Sequence, residues 1–311
     1  MAEQRWGLTL PIPGLRLREH EDVVRQAEAA GYTDIWTGET QGPDGFTPLT
    51  LASTWTERAR LGTGIVGVFQ RGPALLAMEA AALADASGGR FALGIGASSN
   101  VIVERWNGVP FERPLTKVSD TIDYLRTVLA GERGEGGFKL ELPPSEPIPI
   151  MIAALRGKML ALAAEKADGA ITNFLPLSGV PRVTEALANA KPGFELSCRF
   201  FCLPGPREQV EPLARRMFAG YATVPVYESF FRWLGHGDAI DETVSAWAER
   251  DRERATAAAP WELIEETFIL GEPDEMRAQL QRFIDAGINL PILTPITEPD
   301  RVTDLVTALT P

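Results

Sequence analysis

The sequence predicts an α/β fold, namely a closed (β/α)8 TIM barrel of parallel strands with an insertion before the last βα unit. Short apolar stretches alternate with helical stretches eight times along the 311 residues, a pattern typical of a parallel sheet covered by helices. No segment rich in Pro or Ser divides the chain into halves. A barrel of about 250 residues plus one insertion accounts for the length. We therefore expect a single domain over residues 1–311.

The alternation is clearest over residues 60–100. An apolar run at Leu61–Phe69 is interrupted by three glycines, a helix rich in Ala and Leu follows at Pro73–Ala86, and a second apolar strand follows at Phe91–Gly96. Glycine at the end of a strand allows a ligand or another backbone to approach closely. Both strands open into polar loops, and we expect a cofactor to bind there.

The other predicted strands are also short and apolar, and helices with apolar residues at helical spacing separate them. The strands are expected at Trp6–Leu10, Thr33–Thr37, Ile148–Ala154, Asp168–Thr172, Glu195–Leu203 and Ile288–Thr294. The helices are expected at Glu19–Ala30, Thr47–Glu57, Lys117–Ala130, Arg156–Lys166, Val180–Ala190, Pro206–Ala219, Asp274–Ala286 and Pro299–Leu309.

Two stretches interrupt this order. Residues 100–110 are predicted to be irregular. Residues 223–260 carry five aromatic side chains, a glycine-rich turn and a charged helix. We interpret this second stretch as an irregular insertion and a candidate lid over the barrel.

Composition limits the classes of partner. The formal net charge of −12 argues against nucleic-acid binding, because nothing would offset phosphate repulsion. The sequence has no apolar run of about 18 residues, so no membrane helix is predicted. The first residues show no signal peptide. Cys198 and Cys202 lie four apart in one predicted strand, where a disulfide has poor geometry. We expect reduced thiols, a cytoplasmic protein and a small-molecule substrate.

No metal site is expected, because the chain has two histidines and no motif with metal-ligand spacing. The glycines at 62, 64 and 67 match G-x-G-x-x-G by spacing. They lie inside an apolar strand and do not open a helix, so we reject a dinucleotide-binding fingerprint.

In a barrel of this kind, functional residues lie in the loops that follow the strands. Two such loops are candidates for an anionic group. Gly96, Ala97 and Ser98 follow the fourth strand, where the alternative is a turn that needs small residues. The second loop leads into a helix whose first amides favour an anion, and the alternative is a surface loop with two solvated basic residues. Its candidates are Ala153, Ala154, Leu155, Arg156, Gly157, Lys158 and Met159.

One acidic residue is a candidate for catalysis. Glu39 stands at the end of the second strand, where a carboxylate could bind a ligand or transfer a proton. The alternative is an ordinary loop residue. Arg71 follows the third strand and could meet an acidic group or cap a helix.

The predicted strands and the loops that follow them together resemble the luciferase-like monooxygenase superfamily, especially its branch that uses the deazaflavin coenzyme F420. The resemblance covers nearly the whole chain. It is most specific in LGTGIVG, in RGPALLAMEAAALADASGGRFALGIG and in PIPIMIAALRGKMLALAAEKADGAITN, which cover residues 61–67, 71–96 and 147–173.

The resemblance implies a flavin-type ring across the carboxyl-terminal mouth of the barrel. In this family a bulge on the third strand, often with a non-prolyl cis peptide, supports the ring, and the matching positions are Gly64 and Ile65. The family's phosphate contacts would fall on Ala97 and Ser98 and on residues 154–159. The resemblance also implies a homodimer, formed through the helices at Thr47–Trp55 and Pro73–Ala86.

The chain departs from the sugar-phosphate dehydrogenases of this branch at their proton-handling residues. Those enzymes carry an Asp-His pair after the second strand, where this chain has Glu39 and Thr40, and a Glu where this chain has Ser99. We therefore expect an F420-dependent reductase of a small or medium apolar organic molecule, with Glu39 as the candidate acid. The alternatives are an FMN-dependent monooxygenase and a non-catalytic flavin-binding barrel.

Overall fold

A computed structural model describes residues 4–310 of the chain. It has ten strands in one parallel sheet: β1 (Gly7–Leu10), β2 (Asp34–Thr37), β3 (Arg60–Thr63), β4 (Val66–Gly67), β5 (Phe91–Gly96), β6 (Ile150–Ala153), β7 (Gly169–Asn173), β8 (Glu195–Pro204), β9 (Ile269–Gly271) and β10 (Leu290–Pro295). The predicted domain limits at Met1 and Pro311 lie outside the described residues.

The sheet closes into a barrel of eight positions, as the sequence predicts. Neighbours run in chain order from β1 to β8, and β10 pairs with both β8 and β1. β4 resumes the path of β3 after a break and pairs with β5. β9 adds to the far end of β8. The fold is a TIM barrel in which β8 extends beyond its neighbours on one side of the mouth.

Helices lie between the strands. They are α1 (Glu21–Ala29), α2 (Thr47–Trp55), α3 (Pro73–Ala86), α4 (Pro114–Leu129), α5 (Gly157–Lys166), α6 (Val180–Ala186), α7 (Arg207–Ala222), α8 (Pro225–Leu234), α9 (Gly237–Ala248), α10 (Arg252–Ala257), α11 (Trp261–Glu265), α12 (Pro273–Asp285) and α13 (Val302–Ala308). Among the described helices, none is long and apolar enough to cross a membrane.

Side chains alternate between two apolar layers, as expected for strands covered by helices. One layer lies between the strands and the helices. The other fills the lumen around Trp36, which is buried, together with Met151, Ile171 and Ile292. Gly62 faces this indole, and a Cβ there would stand 2.6 Å from ring carbons of Trp36. Gly62, one of the glycines that interrupt the third apolar run, therefore makes room for a tryptophan that fills the barrel.

Three local predictions were wrong. Residues 101–106, predicted irregular, form a short π-helix. The insertion at 223–260, also predicted irregular, folds into α8, α9 and α10 and leads into α11. Local signals begin these helices: Pro225 opens α8, and the Asp251 carboxylate accepts the Arg254 amide at the start of α10. Strand β9 was not predicted, because three residues carry too little periodicity. Cys198 and Cys202 are buried free thiols.

Candidate active site at the carboxyl ends of the strands

The floor of the mouth is formed where β3 breaks. The peptide between Gly64 and Ile65 is cis, at the two positions that the family resemblance indicates. A Cβ on Gly96 would stand 2.9 Å from the Ala153 Cβ and 3.0 Å from the Ile65 Cδ1. Three of the predicted cofactor residues therefore meet: Gly96 from β5, Ala153 from β6 and Ile65 from the break in β3. The absence of a side chain at Gly96 keeps this floor low.

The loop after β5 turns away sharply from the strand. Ser98 has φ +63°, a left-handed conformation that non-glycine residues rarely adopt. Ala97 and Ser98 are both half-buried, and the Ser99 hydroxyl accepts the Ile102 amide at 3.3 Å. The loop therefore presents small side chains and backbone at the rim of the mouth.

The start of α5 offers free amides. Arg156 is the extended residue before the helix, and Gly157 has φ +48°. Within residues 4–310, no hydrogen bond uses the amide of Gly157 or Lys158. Unpaired amides at a helix start attract anions, and two basic side chains flank them.

The remaining candidates of this loop have a different environment. Ala154 is buried, and its amide donates to the Ile171 carbonyl at 3.0 Å. Leu155 and Met159 are half-buried and pack against the outer apolar layer. A direct contact of Ala154, Leu155 or Met159 with a cofactor stays a prediction.

The Glu39 carboxylate is bound to Arg71. Arg71 Nη1 lies 2.5 Å from Glu39 Oε2 and Nη2 lies 2.7 Å from Oε1, while the Gly45 amide donates to Oε1 at 3.1 Å. Burial lowers the pKa of Arg71, but the hydrogen bonds and charges of Glu39 and Glu79 raise it more. Burial raises the pKa of Glu79, against the opposing charge of Arg71. Arg71 therefore meets acidic groups, and this cluster ties the loop after β2 to α3.

Arg199 is a further candidate, which was not among the residues predicted from the sequence. It lies on β8, level with Asn173 of β7 and Ile292 of β10. Its Nη1 is 3.4 Å from the point where a Cβ of Gly38 would stand, so the side chain reaches across the lumen towards the end of β2. Its Nε is buried and has no hydrogen-bond partner. Among residues 4–310, no carboxylate forms an ion pair with it. A charged residue in the apolar run ELSCRFFCL is the sequence signal that could have indicated it.

Asn173 links β7 to the insertion. Its Nδ2 donates to the Tyr227 hydroxyl at 2.9 Å, and its Oδ1 is buried without a partner. Burial raises the pKa of Tyr227 to about 12, with the nearby Arg199 charge and the Asn173 hydrogen bond opposing the rise. Helix α8 of the insertion is thereby fastened to the rim of the barrel.

An aromatic wall stands beside these polar groups. Phe174 stacks on Tyr221 with centroids 3.9 Å apart and contacts Tyr227, Phe201 and Phe268 at 5.6, 5.2 and 5.5 Å. It joins β7, β8 and the insertion helices in one apolar cluster. Phe174, Phe201 and Phe268 are themselves buried, so Tyr221 and Tyr227 are the members of this cluster that keep aromatic surface for an organic molecule.

The amino-terminal end of the barrel, opposite the mouth, contains a network of ion pairs. Asp34 is fully buried and pairs with Arg5 at 2.8 Å and with Arg60 at 2.6 Å, and Arg60 also pairs with Glu195 at 2.7 Å. The charges of Asp34 and Glu195 raise the pKa of Arg60, although burial alone would lower it. A cavity of about 330 Å³ lies at this end and is lined by Arg5, Arg60 and Glu195. Its charges neutralise one another, which is typical of a stabilising barrel base.

The mouth thus combines a low floor, free amides with basic neighbours, an apolar wall and one unpaired cation. Among residues 4–310, no group of three or more His, Cys, Asp or Glu side chains could hold a metal ion.

The family model of the luciferase-like monooxygenases matches residues 3–290. This chain belongs to the luciferase-like monooxygenase family. That assignment confirms the family predicted from the three sequence stretches.

Individual members of the family extend the comparison. A Mycobacterium tuberculosis protein provisionally named a coenzyme F420-dependent oxidoreductase is 29% identical and covers 93% of this chain and 92% of its own. The F420-dependent tetrahydromethanopterin reductase of Methanopyrus kandleri superposes with a TM-score of 0.77 at 20% identity over 98% of both chains. The oxygenating constituent of 3,6-diketocamphane monooxygenase from Pseudomonas putida, in complex with FMN, superposes with a TM-score of 0.68 at 17% identity over 99% and 97%. At these identities the superpositions show a shared fold.

Proposed function

We propose that this family member is an F420-dependent oxidoreductase. It transfers a hydride between the deazaflavin and a small or medium organic molecule, and acts as a reductase more than as a sugar-phosphate dehydrogenase. The observation that carries the proposal is the arrangement of the floor and the anion cradle. Gly96, Ile65 and Ala153 meet beside the break in β3, and free amides at Gly157 and Lys158 lie at the same end of the barrel.

The residues present fit such a cofactor. A Cβ on Gly96 would already crowd Ala153 and Ile65, so the floor has the low profile that a planar ring requires. The amides of Gly157 and Lys158 and the side chains of Arg156 and Lys158 would hold its phosphate. Reduced F420, when bound, supplies a hydride to an electrophilic carbon.

The chain's own residues would orient the reactants and exclude water. The floor would hold one reactant flat, and the half-buried rings of Tyr221 and Tyr227 beside Phe174 would provide an apolar surface for the other. Fixed orientation of two reactants is itself a large part of a catalytic rate enhancement. A reductase needs no strong base, because a proton can come from solvent after hydride transfer.

Within this proposal Glu39 is part of a network of contacts. Both of its oxygens accept hydrogen bonds from Arg71, which also pairs with Glu79 of α3. We therefore favour a positioning role, in which Glu39 holds the loop after β2 against α3. Proton donation by Glu39 would require this ion pair to open.

Fluorescence titration of the purified protein with F420 and, in parallel, with FMN tests the cofactor. We expect F420 to bind more tightly than FMN. The double variant R156Q/K158Q should weaken F420 binding at least about tenfold, because two charge-assisted contacts to phosphate are lost. R216M, which removes one exposed charge on α7, is the control and should leave binding unchanged. Preference for FMN would transfer the chain to the FMN monooxygenases, and oxygen uptake would be assayed next.

Binding of F420 without turnover of any acceptor would favour the non-catalytic flavin-binding alternative. A panel of activated alkenes offered with reduced F420 separates these outcomes, because hydride transfer restores the absorbance of the oxidised cofactor. The expected result is oxidation of F420 that depends on both the protein and the acceptor.

We also propose a homodimer formed through α2 and α3. Leu75 and Met78 on α3 are 46% and 51% exposed, which is unusual for large apolar side chains on one helix face. Light scattering after size exclusion should show a mass near twice 33.8 kDa. The double variant L75E/M78E should shift it to the monomer.

A further inference from the structure

Arg199 is a half-buried cation with no counter-ion in the described part of the chain. Its Nε lacks both solvent and a hydrogen-bond partner. Its guanidinium reaches across the lumen towards Gly38, where Nη1 lies 3.4 Å from the point that a Cβ would occupy, and it lies 4.8 Å from the ring centroid of Phe201. Leaving a buried charge unpaired is costly for a folded protein. A buried polar group without a partner therefore requires an explanation.

A second unsatisfied group lies directly beside it. Asn173 is the register neighbour of Arg199 on β7, and its Oδ1 is buried without a partner. Arg60, at the other end of the same lumen, is also largely buried, yet it pairs with both Asp34 and Glu195. The protein therefore satisfies Arg60 from within, whereas Arg199 has no ion-pair partner among the described residues.

We infer that Arg199 anchors a carboxylate carried by the organic substrate, beside Asn173 and close to Tyr221 and Tyr227, the half-buried members of the aromatic wall. This inference rests on the proposed function. A guanidinium matches a carboxylate with two parallel hydrogen bonds, and an anion repays the burial of the charge better than a neutral carbonyl does. The rest of the substrate would be apolar, because the surrounding wall is aromatic. This revises the expected substrate class from an apolar molecule to an acid with an apolar body.

The test compares a carboxylate with its neutral ester. Trans-cinnamate and methyl cinnamate are titrated calorimetrically into the protein loaded with oxidised F420, in which no turnover occurs, and into the cofactor-free protein. Wild type should bind cinnamate more tightly than the ester. R199M should weaken cinnamate binding by about 10- to 100-fold, as expected for the loss of charge-assisted hydrogen bonds. The variant should change the ester's affinity by less than about threefold, R199K should lie between wild type and R199M, and R216M should match wild type.

Stability and cofactor binding exclude other roles for the arginine. The cofactor-free R199M protein should melt no lower than wild type, because it loses a charge that pays a burial cost without a partner. Its dissociation constant for F420 should stay within about threefold of wild type. A fall of more than about 5 °C would make Arg199 a structural residue and overturn the inference.

Three further results would overturn it: equal binding of acid and ester by wild type, an unchanged preference in R199M, or an F420 affinity that falls as much as the cinnamate affinity. Failure of wild type to bind F420 would refute the proposed function alone. The preference for the acid can still be measured in the cofactor-free protein.

Discussion

The two ends of the barrel lumen each hold a half-buried arginine, and the two arginines have opposite surroundings. At the amino-terminal end, Arg60 lies between Asp34 and Glu195, and Asp34 also accepts hydrogen bonds from Arg5 and Thr33. At the mouth, Arg199 has no counter-ion among the described residues, and Asn173 keeps an unsatisfied oxygen. At the amino-terminal end the buried charges satisfy one another, whereas at the mouth Arg199 and Asn173 keep unsatisfied atoms although Arg71 is paired with Glu39 and Glu79.

The largest effect is expected at the amino-terminal end. D34N keeps the shape of the side chain but removes the charge between Arg5 and Arg60. We expect a loss of about 3–5 kcal/mol in the free energy of unfolding, because two cations lose a fully buried partner. Urea denaturation measures it. D120N, at an exposed position on α4, should stay within about 0.5 kcal/mol of wild type. A loss below about 1 kcal/mol in D34N would contradict the contrast between the two ends.

Glu39 provides an intermediate case, because it is a paired charge at the mouth. E39Q should cost about 1–2 kcal/mol of stability, since Arg71 loses one charged partner but keeps Glu79. With a working acceptor, kcat should fall less than about tenfold if Glu39 only positions the loop. A fall of about a hundredfold or more, with a changed pH profile, would instead identify it as the acid.

Asp168 is a further paired charge at the amino-terminal end, and its contribution to the free energy of unfolding should depend on pH. Burial raises its pKa, but hydrogen bonds from Lys191, the Ile150 amide and Arg126 lower it below the usual value. A carboxylate with a lowered folded pKa stabilises the protein above the unfolded pKa near 3.9, and this contribution is lost as the pH falls through the folded pKa. D168N should therefore cost about 1 kcal/mol at pH 7. Urea midpoints of variant and wild type should converge as the pH falls below about 4. A difference that persists at low pH would point to packing and not to charge.

The smallest effect is expected at the link between β7 and the insertion. Y227F removes the hydroxyl that accepts from Asn173 Nδ2 but keeps the aromatic contacts with Phe174 and Tyr221. The loss of stability should be below about 1 kcal/mol, because Asn173 is only half-buried. Thermal melting compared with wild type measures it. A loss as large as that of D34N would show that the mouth, too, depends on its polar contacts for stability.

The sequence predicted the barrel well where local periodicity alone determines the structure. Helix Pro73–Ala86 and strand Phe91–Gly96 lie at the predicted bounds, because a long alanine-rich helix and a buried strand each show one clear period. The insertion was interpreted as irregular because no strand separates its helices, so the alternation of strand and helix is lost there, although α8 and α9 are as long as helices that were predicted. Their start signals, such as Asp251, lie outside any regular pattern.

The candidate site was predicted only in part, for a physical reason. The glycines and the start of α5 are local features that a sequence displays directly. The partner of Glu39 lies 32 residues away, and the lack of a partner for Arg199 is a property of the whole lumen. Which charges are neutralised in a closed barrel depends on contacts across the lumen, and a single sequence does not report them.

The two halves of the mouth come from different stretches of the chain. The floor and anion cradle belong to residues 64–159, whereas the polar anchor, the aromatic wall and the insertion belong to residues 173–271. Exchange of the second stretch between relatives would leave the first intact. Diversification of this scaffold can therefore proceed by recombination near residue 160, with the cofactor inherited from one parent and the choice of reaction partner from the other.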